Sequence, residues 1–90
     1  MKVHELKSWP EFFTEILTGK KCHDLRQSID RVFEVGDHLR LREFNRKIEQ
    51  YTGRETIVEV TYITSQISPC AYSETALNKG FCILSIKLIG

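Results

Sequence analysis

Glu55-Thr56-Ile57-Val58-Glu59-Val60-Thr61-Tyr62-Ile63-Thr64-Ser65 is the longest β-rich run in the chain. Side chains alternate along an extended backbone, so Val58, Val60 and Tyr62 face one way and Ile57, Thr61 and Ile63 the other. Apolar residues on both faces predict a central strand covered from two sides. Phe81 to Ile89, opened by Gly80, shows the same two-sided pattern and predicts a second central strand. His38 to Phe44 reads differently. Leu39 and Leu41 share one face and Arg40 and Arg42 the other, the pattern of a half-buried strand.

Gly36-Asp37 signals the turn before that strand. Asn45 to Thr52 is polar and reads as a hairpin end, with Gly53 suited to a turn of positive φ. Val3 to Lys7 is short and compatible with a strand. Cys22 to Gln27, if extended, puts Asp24 and Arg26 on one face and His23 and Leu25 on the other. Gln66 to Lys79 is the least regular stretch. Ser68-Pro69 marks a loop there, and Ser73 to Leu77 can hold one helical turn.

A helix is predicted from Ser8 to Thr18. Trp9, Phe12, Phe13, Ile16 and Leu17 recur at helical spacing and form one apolar face expected to pack on the sheet. Ser8 and Glu11 have the spacing of a capping box, and Pro10 falls in the first turn, where its missing N–H costs nothing. Gly19 suits the left-handed residue that ends a helix. The fold class that follows is α+β: one N-terminal helix against a curved, mostly antiparallel sheet, either a small β-barrel or a tightly curled sheet.

The 90 residues fit a single domain, 1-90, whose apolar content lies far above the disordered range. No apolar run reaches the ~20 residues a membrane span needs. Met1-Lys2-Val3-His4-Glu5 lacks the apolar stretch of a secretory signal, so the expected location is cytoplasmic. Cys22, Cys70 and Cys82 are odd in number and match no paired ligand spacing. Neither a disulfide framework nor a metal site is expected, and no cofactor motif is present. The net charge of +1 argues against strong non-specific nucleic-acid binding, although eleven of the thirteen Lys and Arg residues precede Glu55.

The densest polar group lies at the helix exit: Lys20, Lys21, His23, Asp24 and Arg26. Asp and Arg two apart on a strand can pair side by side, within reach of a lysine from the preceding turn. Such a group can hold a phosphate, a carboxylate or a nucleobase edge. It can equally be a surface ion pair worth ~0–1 kcal/mol.

Gly19-Lys20-Lys21-Cys22-His23-Asp24-Leu25-Arg26 resembles the ASCH-domain motif G-x-K-x-x-E-x-R, with Asp24 where the motif has Glu. ASCH domains are relatives of the PUA domain, a small β-barrel of RNA-binding proteins. The resemblance covers the whole chain. His4-Glu5-Leu6-Lys7, Trp9-Pro10, Val35-Gly36-Asp37, Leu41-Arg42-Glu43, Tyr51-Thr52-Gly53-Arg54-Glu55, Val60-Thr61-Tyr62-Ile63 and Ile83-Leu84-Ser85-Ile86 follow in order as in one branch. That branch is a set of short phage and bacterial proteins catalogued as domain of unknown function family 3850. The resemblance implies a PUA-like barrel with a cleft beside the helix, lined by Lys21, Asp24 and Arg26. His4 and Lys7 match the N-terminal segment of the branch and are placed near that cleft.

Three functions compete. The first is a binding module for single-stranded RNA or a nucleotide. Lys7, Lys20, Arg40 and Arg42 would contact phosphates, and Trp9 or Tyr62 would stack on a base, although both rings read first as core. The second is a small hydrolase acting on RNA or a modified nucleoside. Some ASCH proteins resemble amidohydrolases in which a Thr, activated by the motif Lys, attacks an amide. Asp24 occupies that Thr position here, and a carboxylate cannot stand in for the hydroxyl. Cys22 is a nucleophilic type two residues away, and Glu74 is the one acid of the last connection. The third is a phage or bacterial protein-interaction factor, which a broad apolar surface patch would favour.

Overall fold

Leu39 and Leu41 alternate with Arg40 and Arg42, and in the computed structural model of the chain, which describes residues 1–90, this alternation forms a strand. Seven elements follow one another: β1 (Val3–Ser8), α1 (Pro10–Leu17), β2 (His23–Gln27), β3 (His38–Asn45), β4 (Gln50–Ser65), α2 (Ser73–Ala76) and β5 (Phe81–Leu88). The strands make one sheet in the order β1-β3-β4-β5-β2. Only β1 and β3 pair in parallel; the other three pairings are antiparallel. As the two-faced apolar patterns predict, β4 and β5 are interior strands. The first two strands of the chain become the two opposite edges.

The sheet curls into a half-barrel around a single cluster. Leu39 and Leu41 from β3, Val58 and Val60 from β4, and Cys82, Leu84 and Ile86 from β5 fill its concave side. Phe13 and Ile16 close it from α1, and Phe33 from the connection after β2. Both edges of the curl face each other across a seam. There Arg26 of β2 donates from Nη2 to the Lys7 carbonyl of β1 at 2.9 Å, a side chain standing where a closed barrel would have a backbone ladder.

Two bulges reset the alternation. Between Val60 and Tyr62 the β4–β5 register gains one residue on β4, with Val60 opposite Ile86 and Tyr62 opposite Ser85. One extra residue turns every later side chain over. Ile63 therefore packs against the core and Tyr62 points outward, the reverse of the sequence expectation. The second irregularity lies opposite Glu43, where Thr52, Gly53 and Arg54 of β4 intervene between the partners of Arg42 and Phe44. Gly53, with φ of 96°, serves this bulge. The hairpin turn itself comes earlier, with Glu49 at φ 53°.

Helix α1 is shorter and narrower than its apolar pattern suggests. Ser8 belongs to β1, paired with Glu43, so no capping box forms. Trp9 is the residue before the helix and has no side-chain cap. Its carbonyl accepts the first helical bonds from the amides of Phe12 and Phe13. Only Phe13 and Ile16 are buried; Trp9, Phe12 and Leu17 are 39%, 45% and 38% exposed. The expected five-residue packing face is thus a two-residue stripe. Gly19 ends the helix at φ 79°, as predicted, and the amides of Lys20 and Lys21 both close on the Glu15 carbonyl.

Candidate functional site

The seam between β1 and β2 widens into a cleft of about 450 Å³ beside the start of α1. Lys7 and Ser8 come from the end of β1, Trp9 and Phe12 from the helix entry, Lys21 from its exit, and Asp24, Leu25 and Arg26 from β2. The fold thereby joins two stretches that the sequence separates: the Lys21/Asp24/Arg26 group and the segment Lys7 to Phe12. Strand alternation puts Asp24 and Arg26 on one face, as expected, and Arg26 donates from Nε to Asp24 Oδ2 at 2.8 Å.

Arg26 is mostly committed to holding the site together. Nε goes to Asp24 and one Nη2 hydrogen to the Lys7 carbonyl, which leaves the two Nη1 hydrogens and the second on Nη2 without a protein acceptor. Asp24 is nearly buried, yet only Oδ2 has a protein partner, so Oδ1 remains an acceptor for something in the cleft. Lys21 carries no carboxylate partner. Its Nζ lies 3.4 Å from His23 Nε2 and 5.7 Å from the centre of the Phe12 ring. The cleft therefore offers an unpartnered carboxylate oxygen, an ammonium without a carboxylate partner and unused guanidinium N–H groups within a small space.

Sequence reasoning named Trp9 as a stacking ring but read it first as core, and it missed Phe12 in this wall. Trp9 and Phe12 stack on each other with centroids 5.7 Å apart and planes 26° from parallel. Arg46, from the β3–β4 turn, lays its guanidinium 3.8 Å from the Trp9 ring centre and pairs with Glu11 at 3.4 Å. The helix pattern made these rings core. The available signal was Pro10: a helix starting there leaves Trp9 as the residue before the first turn, outside the helical packing face.

Two residues expected near the cleft are elsewhere. His4 sits at the far end of β1, four residues and thus ~13 Å along the strand from Ser8. It is buried, its Nε2 2.8 Å from Asp37 Oδ2 and its ring 4.7 Å from that of Phe33. Burial alone would raise the Asp37 carboxyl. The amides of Lys2 and Glu34 together with the His4 ring outweigh it and hold the pKa at about 2. Lys20 is exposed at the helix exit and does not line the cleft. Arg40 and Arg42, expected phosphate contacts, are held on the outer face of the sheet by Glu5 and Glu55.

Cys22 opens into a different, 220 Å³ cavity under the end of α1, walled by Ile16, Val58, Ile86 and Leu88. Ser8 supplies the one hydroxyl of the cleft, and no hydrogen bond joins it to Lys21 or Asp24. No group of three His, Cys, Asp or Glu side chains is placed to hold a metal ion. No helix is long and apolar enough to cross a membrane.

Fold and cleft define a class: a small α+β protein whose curled sheet is left open along one seam, with a charged and aromatic pocket in the gap. Residues 3–86 match the model of a domain of unknown function, DUF3850, and the chain belongs to that family. It is 36% identical over 63 residues to an uncharacterized 12.9 kDa protein in the GpA 3' region of Escherichia phage P2. That match covers 70% of this chain and 55% of the phage protein.

Proposed function

We propose that the chain is a cytoplasmic PUA-like module, related to ASCH domains, that binds single-stranded RNA or a nucleotide in the seam cleft. The observation that carries this is the meeting of an exposed Trp9–Phe12 pair with Lys21, Asp24 and Arg26 in one 450 Å³ space. A base stacks on the rings while Asp24 Oδ1 accepts from its N–H groups and Lys21 meets the phosphate. A hydrolase is the weaker reading, because the cleft holds no nucleophile hydrogen-bonded to a base.

Trp9 is the only tryptophan, so its fluorescence reports on the cleft. Titration with nucleoside monophosphates and short RNA should quench it. Lys21→Ala removes a charged hydrogen bond worth ~1.5–3 kcal/mol, so affinity should fall roughly ten- to a hundred-fold. Lys79→Ala, in the β4–β5 connection, should change little. Equal loss in both variants, or no quenching by any nucleotide, refutes the proposal.

A further inference from the structure

The cleft rings have a counterpart just outside it. Phe44 and Tyr51, across the β3–β4 hairpin, meet edge to face with centroids 5.2 Å apart. Lys7 Nζ lies 4.3 Å from the Phe44 ring centre, and the Arg42 guanidinium 3.9 Å from that of Tyr51. The cleft pair has the same composition, with Lys21 by Phe12 and Arg46 by Trp9. Ser8 pairs with Glu43, so Trp9 and Phe44, the next residue on each side, follow paired positions. Lys7 both lines the cleft and covers Phe44, which joins the two pairs into one strip.

Rings and cations interleaved along a surface are what a flexible polyanion with a base on every unit requires. The strip is not simply a sink of positive charge. Arg42 is paired with Glu5 at 3.0 Å and Arg46 with Glu11 at 3.4 Å. Lys7 and Lys21 have no carboxylate partner and are the free cations beside the rings. Affinity must then come largely from stacking, one base per ring pair.

We infer that the Phe44–Tyr51 pair is a second stacking subsite, so that the ligand is a single-stranded oligonucleotide and not a mononucleotide. This rests on the cleft being a nucleotide site. One base occupies the Trp9–Phe12 pair, and the strand passes Lys7 to lay a neighbouring base on Tyr51 or on the Arg42 guanidinium above it.

Chain length is the test. The full chain is titrated with uridine 5′-monophosphate and with uridine or thymidine oligomers of two to six nucleotides, read by Trp9 fluorescence. Stacking at one added subsite should tighten binding about ten- to a hundred-fold between the monophosphate and the tetramer. Tyr51→Leu, which keeps apolar bulk on an exposed hairpin, should abolish that gain and leave monophosphate binding unchanged. A gain with RNA, DNA or both supports the inference. Monophosphate binding with no gain from length overturns the second subsite alone, as does a gain that survives Tyr51→Leu. Equal loss of monophosphate and tetramer binding in Tyr51→Leu overturns it too. Failure of every ligand to quench Trp9 removes the cleft reading as well.

Discussion

Asp37, at the entry to β3, and Asp24, on the edge strand β2, are both nearly buried carboxylates of the same curled sheet, and they are treated in opposite ways. Asp37 receives three donors: the amides of Lys2 and Glu34 and the His4 ring. Glu43, farther along β3, is equally full, with two bonds from Arg54 and one from Thr52. Asp24 receives one, and it lines the cleft with its second oxygen unpartnered. A saturated carboxylate is a fastener, since its bonds are all internal and its loss strands the donors. A half-satisfied one beside a cavity keeps capacity for a ligand.

The largest expected effect separates inside from cleft on one helix. Phe13→Ala removes a fully buried ring and should cost ~3–5 kcal/mol, whereas Phe12→Ala, at the cleft wall, should cost under ~1 kcal/mol in urea unfolding. Equal losses would mean that Phe12 is core after all. Next comes Asp37→Ala, which leaves two amides and the His4 ring without their acceptor; ~3 kcal/mol is expected. Asp24→Asn should cost under ~1 kcal/mol in the same titration, and parity between the two would erase the contrast.

Acid gives a smaller effect with a defined sign. The Asp37 value lies near 2 in the fold against 3.8 for the ordinary side chain. Its contribution is complete above pH ~4 and is lost as pH falls from about 4 to about 2, on the order of 2 kcal/mol. Glu43, held below the usual carboxylate range by the Arg54 guanidinium, acts in the same direction. Melting curves across that range should flatten in Asp37→Asn; an unchanged slope would show that other groups set the acid limit. The smallest effect is at the seam. Arg26→Ala deletes two hydrogen bonds that join β2 to Asp24 and to β1, a loss of ~1–2 kcal/mol. No change at all would mean that the guanidinium does not hold the edges together.

Much of this was legible in the chain. Leu39/Leu41 against Arg40/Arg42, the two-sided β4 and β5, the Gly19 helix end and the Asp24–Arg26 pairing follow from alternation and stereochemistry alone. Other features depend on contacts that no local pattern encodes. The bulge at Thr61 shifts by one residue which face of β4 is inward, and periodicity cannot announce its own interruption. Lys7 and Trp9 reach the motif only because the curl brings β1 opposite β2, a fact of the sheet order. His4 lies on the inward face of β1, but which polar group it meets there is set by Asp37, far along the chain. Arg54 follows Gly53 with no local signal of a partner, and its pairing with Glu43 comes with the bulge.

The sheet order also imposes a timetable on synthesis. β2 finds its only ladder partner in β5, three strands later in the chain, with Asp24 opposite Leu84. β1 likewise waits for β3, and loop closure over such separations is slow. A nascent chain that has already released Lys21, Asp24 and Arg26 from the ribosome still has no strand on which to align them. Termination before Phe81 would leave β2 without a partner, so competence at the cleft arrives only once Phe81–Leu88 has been made.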